Sequence, residues 1–157
     1  MTTASSPANL TLSVRHVFRA PREQVFRAWT QPEQLKRWWG PPGFSTPLAD
    51  IDLQEGGRYR IGMQPPEGDV RYITGAFREV RPPRRLVYTW AWEPHENRET
   101  LVTVEFRELT KRQTEVVLQH EWFGDDQAIQ MHSEGWNGCF LRLGDLLEDA
   151  EYQTVSG

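Results

Sequence analysis

The end of the chain constrains everything before it. At about 100° per residue, Ile129, His132, Trp136, Cys139, Phe140, Leu143, Leu146 and Leu147 fall within an arc of about 120°. Arg142, Asp145 and Glu148 fall outside it. Asp125 and Asp126 are good helix-starting residues. The pattern predicts an amphipathic helix from about Asp126 to Asp149, roughly 36 Å long. A helix of that length with one apolar face must lie along something equally long and concave.

The preceding residues supply such a surface. Leu10, Leu12, Val14, His16 and Phe18 alternate with Thr11, Ser13, Arg15 and Val17, the period of a half-buried strand. Pro21 opens a helix over Arg22–Trp29, and Gln31-Pro32 breaks it. Glu33 to Trp39 reads as a second short helix, ended by Gly40-Pro41-Pro42-Gly43. Strands follow at Leu48–Leu53, around Tyr59, Ile61 and Met63, and at Val70–Val80. Three more carry Leu86–Trp92, Val102–Phe106 and Val116–Trp122, separated by Arg81–Arg84, Pro94–Asn97 and a turn near Lys111. Tight turns at this spacing favour antiparallel hairpins. The expected class is α+β: a bent antiparallel sheet of six or seven strands around the C-terminal helix, the order of the helix-grip fold. Residues 1–9 read as a disordered tail, 10–149 as one domain and 150–157 as a C-terminal tail.

Composition excludes several classes. A net charge of −4 gives no electrostatic reason to bind nucleic acid or an anionic membrane. The single cysteine, Cys139, allows no internal disulfide and no cysteine metal cage. The start of the chain has neither the basic nor the apolar region of a secretory signal, and no apolar run approaches a membrane span. A cytoplasmic protein is expected, and a homodimer is compatible with it.

The chain resembles the activator-of-Hsp90-ATPase-like branch of the START-related, pollen-allergen-like superfamily. The resemblance runs from about Leu10 to Glu148. It rests on FRAPREQVFRAWTQPEQLKRWWGPPGF from Phe18 to Phe44, GGRYRIGM from Gly56, RLVYTWAWE from Arg85 and HSEGWNGCFLRLGDLLE from His132. It implies a helix-grip fold with a cavity between sheet and long helix, and no obligatory cofactor. The eukaryotic co-chaperone that names the family carries a further N-terminal domain, for which this sequence leaves no room, so chaperone activation is not expected to carry over.

Seven tryptophans make the residue distribution unusual. Large rings either fill a core or line a pocket. Trp90 and Trp92 share a strand face with Leu86 and Tyr88, and a row of large rings suits a concave cavity wall. Trp38 and Trp39 stand where a helix meets the loop bearing Phe44, and adjacent helical side chains diverge by about 100°. Met63, His120 and Trp122 are expected on inner strand faces, and His132, Trp136 and Phe140 on the helix arc. Leu86 aside, these twelve residues are the candidate ligand-binding set.

Aligning the first and last strands as neighbours places His16 near Val116 and His120 near Leu12. The two rings are then about 13 Å apart along the strand, too far to share a metal. No metal site is expected. His95 reads as a solvated turn residue, and Cys139 as an inert buried thiol. Gly135 and Gly138 read as small residues that let the helix approach the sheet. Only scattered histidines could serve as acid or base, so binding of a hydrophobic or aromatic small molecule is favoured. A cyclase- or hydrolase-like enzyme and a co-chaperone-like interaction domain remain the alternatives.

Overall fold

The computed structural model describes residues 10–95, 98–124 and 126–156, the last eight without their side chains. The expected tail 1–9, the helix-starting Asp125, and Glu96 and Asn97 of the predicted turn lie outside the described residues. Strand β1 spans Leu10–Phe18, α1 Arg22–Thr30 and α2 Pro32–Leu35. Then come β2 (Ser45–Ile51), β3 (Arg58–Gln64), β4 (Arg71–Arg81), β5 (Arg85–Trp92), β6 (Thr100–Thr110) and β7 (Gln113–Phe123). The long helix α3 spans Asp126–Ser156.

The strands form one antiparallel sheet in the order β1-β7-β6-β5-β4-β3-β2. From β2 onward each strand pairs with the next, and β1 closes against β7. This is the helix-grip fold. The β1–β7 register pairs His16 with Val116 and Leu12 with His120, as the alignment of strand ends predicts. Close approach of β4 and β5 depends on Gly75, where a Cβ would collide with the Thr89 carbonyl. That carbonyl accepts a 2.5 Å hydrogen bond from the Tyr59 hydroxyl.

The helix does not cover the sheet evenly. It packs chiefly along β1, with further contact on β7. There Phe140 meets Phe18, with ring centroids 5.8 Å apart, and Leu143 and Leu147 are buried. Helix α1 fills the centre: Phe26 packs on Phe106 and Trp29 on Phe140, at 5.2 and 5.7 Å. The inner faces of β3, β4 and β5 near their far ends are left to the start of α3 and the loop after α2. Among the described residues, no helix is long and apolar enough to cross a membrane.

Three elements depart from expectation. The second helix stops at Leu35 rather than Trp39. Its last turns tighten, with the Arg37 and Trp38 N–H groups bonding three residues back, and Gly40 at φ +90° ends the segment. The long helix runs to Ser156, into the segment read as a tail, because neither Gly nor Pro interrupts Asp149–Ser156. Trp122 is 40% exposed instead of facing inward. It has φ +76° where the β1–β7 register slips, so an extra residue reverses the alternation and Phe123 takes the inner position.

The helix assignment separates two adjacent residues. Phe140→Ala should destabilise by about 3–5 kcal/mol, whereas Leu141→Ala, at a position 62% exposed, should stay within about 0.5 kcal/mol. Urea unfolding of both variants measures the contrast; equal losses would contradict the assigned face.

Candidate functional site

The loop from Arg37 to Phe44 cannot build a regular ladder, because Pro41 and Pro42 lack N–H groups and Gly40 and Gly43 both have positive φ. Its carbonyls are met from α3 instead. Nη1 of Arg142 lies 2.9 to 3.3 Å from the carbonyl oxygens of Trp39, Gly40, Pro41 and Phe44. Nη2 donates to the Arg37 carbonyl at 3.3 Å. Gly138 completes the contact: a Cβ there would stand 3.1 Å from Pro42 and 3.3 Å from Pro41. Its small size serves approach of the helix to this loop, not to the sheet as expected.

Behind the loop lies a cavity of about 610 Å³. Trp39, Gly40, Pro41 and Phe44 form one wall, and Met63, Tyr72, Trp90 and Trp92 form the sheet side. The helix contributes Met131, His132, Gly135, Trp136 and Cys139. Val70, Arg71, Glu93, His95 and Arg98 complete the lining. Among the exposed residues here are Met131, Arg71, His95 and Arg98. Gly135 borders open space, with nothing within 4 Å of the position a Cβ would take.

The polar groups behind the aromatic wall are closely paired. Trp92 donates its indole N–H to Nε2 of His132 at 3.1 Å, and Nδ1 of His132 lies 2.8 Å from the Ala128 carbonyl. A carbonyl only accepts, so the proton sits on Nδ1 and the ring is neutral. Trp136 donates to Nδ1 of His120 at 3.1 Å. The Thr100 hydroxyl donates to the Trp90 carbonyl at 3.1 Å, leaving its oxygen to accept from Nε2 of His120 at 2.6 Å. The two imidazoles look scattered in sequence, yet their centroids are 5.2 Å apart.

Burial lowers the proton affinity of both histidines, and His132 beside it lowers that of His120 further. Burial pushes the Cys139 thiol up to about 12, against the weaker opposing effect of the Gly40 N–H donating to its sulfur at 3.2 Å. Among the described residues, no group of three or more His, Cys, Asp or Glu side chains could hold a metal ion.

Seven of the expected residues share the cavity wall: Trp39, Phe44, Met63, Trp90, Trp92, His132 and Trp136. Five do not. Trp38 turns away and donates to the Ala28 carbonyl at 2.9 Å, packed on Trp29. Tyr88 borders a separate void of about 20 Å³, room for little more than one water. Phe140 is buried under the sheet beside Phe18, and His120 stands behind Trp90 and Trp136. Trp122 lies on the outer surface, with the Arg78 guanidinium 5.5 Å from its ring centroid. Arg142 escaped the sequence reading because it lies off the apolar arc. The mouth residues Arg71, Tyr72, Glu93 and Arg98 escaped it because they sit at strand ends and in a turn.

The neutral histidines set a pH dependence. Their folded proton affinity is below that of the unfolded chain, near 6.5. Their contribution is therefore present above pH 6.5 and is lost as pH falls below it. The slope should reach up to about 1.4 kcal/mol per pH unit for each histidine that stays neutral while folded. Glu93 and Glu105, held below the usual carboxylate value of 4.5 by hydrogen bonds from Arg60 and Arg107, add their own loss only at lower pH. Urea unfolding between pH 7 and 5 should show this fall, and His132→Gln should flatten it. A wild-type profile without slope would contradict the assignment.

The sequence matches the family described as Activator of Hsp90 ATPase homolog 1-like protein over residues 19–148. A search of curated proteins finds no match. A solved protein from Nitrosomonas europaea is 26% identical, with a TM-score of 0.79 over 90% of this chain and 96% of that one. One from Silicibacter pomeroyi is 26% identical, with a TM-score of 0.79 over 88% and 98%. An HSP90 activator from Plasmodium falciparum is 27% identical, with a TM-score of 0.59 over 73% and 74%. The matched segment spans the architecture from the end of β1 to the inward arc of α3, and the chain belongs to the Activator of Hsp90 ATPase homolog 1-like family.

Proposed function

We infer that this protein binds a small hydrophobic or aromatic molecule in the cavity between its sheet and the start of α3. The observation that carries the reading is the cavity itself: about 610 Å³, walled by Trp39, Phe44, Met63, Trp90, Trp92 and Trp136. Drug-sized ligands occupy sites of this size and character. Binding is favoured over catalysis because the titratable groups behind and along the aromatic wall, His120, His132 and Cys139, are already engaged. All four ring nitrogens of His120 and His132 have protein partners, and the Cys139 thiol is held protonated. A general acid or base needs a free proton site within reach of substrate.

The likeness to an HSP90 activator from Plasmodium falciparum supports a second reading, a co-chaperone-like interaction domain. An Hsp90 ATPase assay with and without the chain tests it directly.

Gly135 offers a clean test of the first reading. A side chain added there enters open space at the cavity wall, and replacing a mid-helix glycine favours the helix by up to about 1 kcal/mol. The probe is N-phenyl-1-naphthylamine, an uncharged aromatic whose fluorescence rises in apolar surroundings. Wild type should bind it, and Gly135→Phe should weaken binding at least about tenfold, or about 1.4 kcal/mol, without lowering the melting temperature. Undiminished binding in the variant would exclude this cavity as the site.

A further inference from the structure

We propose that the molecule taken into this cavity is an amphipathic organic acid, with an apolar or aromatic body inside and its acidic group at the guanidiniums of Arg71 and Arg98. The proposal rests on the binding reading above and narrows it to a ligand class.

Among the described residues, the side chains of fixed charge on the cavity wall are Arg71, Glu93 and Arg98, beside the exposed imidazole of His95. Glu93 is already matched. Both its oxygens accept from Arg60, from Nε and Nη2, each at 2.9 Å. Arg60 also stacks over the Tyr72 ring at 3.9 Å, which fixes it on the pair. The one carboxylate on the wall among the described residues is thus neutralised by a residue that is not itself on the wall. Arg71 and Arg98 have no such partner: among the described residues neither side chain makes an ion pair or hydrogen bond. Arg71 is placed there by β4, opposite Met63 of β3, and Arg98 by the connection leading into β6.

Among the described residues, the deeper wall offers a ligand no charge of its own. The indole N–H groups of Trp39 and Trp90 are buried without an acceptor, although both rings line the cavity. The competing acceptor, Nε2 of His132, is taken by Trp92. What the wall leaves unmatched at the cavity surface is therefore the positive charge of Arg71 and Arg98, since both indole N–H atoms are themselves covered. A ligand rich in acceptor oxygens and carrying negative charge complements it, and a cationic ligand does not. The chain's own charge of −4 makes this local excess a property of the mouth rather than of the whole surface.

Two probes of nearly identical shape test the claim. 1-Anilinonaphthalene-8-sulfonate is N-phenyl-1-naphthylamine with an added sulfonate. In fluorescence titrations of wild type, the sulfonate should bind at least about tenfold tighter than the neutral amine. Added salt should weaken only the sulfonate. In the double variant Arg71→Gln, Arg98→Gln the two should bind alike, at the affinity of the neutral amine for wild type. An unchanged melting temperature and circular dichroism spectrum verify the fold of that variant. Equal binding of both probes to wild type, or a preference that survives in the double variant, overturns the acid assignment while the cavity reading stands. Failure of both probes to bind wild type, or equal binding of both to Gly135→Phe and wild type, overturns the two readings together.

Discussion

One guanidinium holds the cavity's outer wall in place. Arg142 reaches from α3 to five carbonyls of a loop that has too few N–H groups and too many glycines to organise itself. A planar fork with several donors can serve such a cluster where a lysine ammonium, a point donor on a flexible stem, cannot. The same contact sets the loop's distance from the helix, because Gly138 admits the Pro41-Pro42 segment at van der Waals range. With the loop held there, Trp39 and Phe44 face Trp90 and Trp136 across a space that no side chain of the sheet fills.

That space exists because the helix covers half of the sheet. Over β1 and β7, α3 packs tightly, and Phe140, Leu143 and Leu147 are core. Toward β3, β4 and β5 the covering is done by rings rather than by backbone, and rings braced edge-on leave room between them. Trp136 and Trp92 are braced from behind by His120 and His132, each imidazole accepting one indole N–H. The arrangement keeps both histidines neutral and gives the aromatic wall fixed orientations. The indole and imidazole groups of the wall are thus paired with one another or covered, and among the described residues the charges left without a partner at the mouth are Arg71 and Arg98.

Strand period and the helix arc carried most of this in the sequence. The inward row of β5 follows from spacing, the β1–β7 register from aligning strand ends within the expected fold, and the start of α3 from its acidic helix-starting residues. Spacing tells inward from outward, and it does not tell core from cavity. Tyr88 and Phe140 face inward as expected yet are packed in the core, Tyr88 against Trp29 of α1 and Phe140 against Phe18 of β1, while Trp90 and Trp136 sit at the cavity. Trp122 misled for another reason. Its left-handed backbone at a strand slip carries no Gly or Asn to mark it, so nothing local signals the reversed alternation. Arg142, Arg71 and Arg98 were invisible to a search for apolar stripes, since their roles depend on what the fold brings within reach.

The seven indoles give the most direct reading of the account. Trp39, Trp90, Trp92 and Trp136 line the cavity, whereas Trp29 and Trp38 are packed in the core beyond it and Trp122 is on the outer face. In a nitrogen-15-labelled sample, indole N–H resonances assigned by single Trp→Phe substitutions can be followed during titration with N-phenyl-1-naphthylamine. The account predicts saturable shifts at the four cavity indoles and none of comparable size at Trp29, Trp38 and Trp122. Shifts confined to Trp122, or none at all under conditions where the probe fluoresces with the protein, would contradict a ligand held between the sheet and α3.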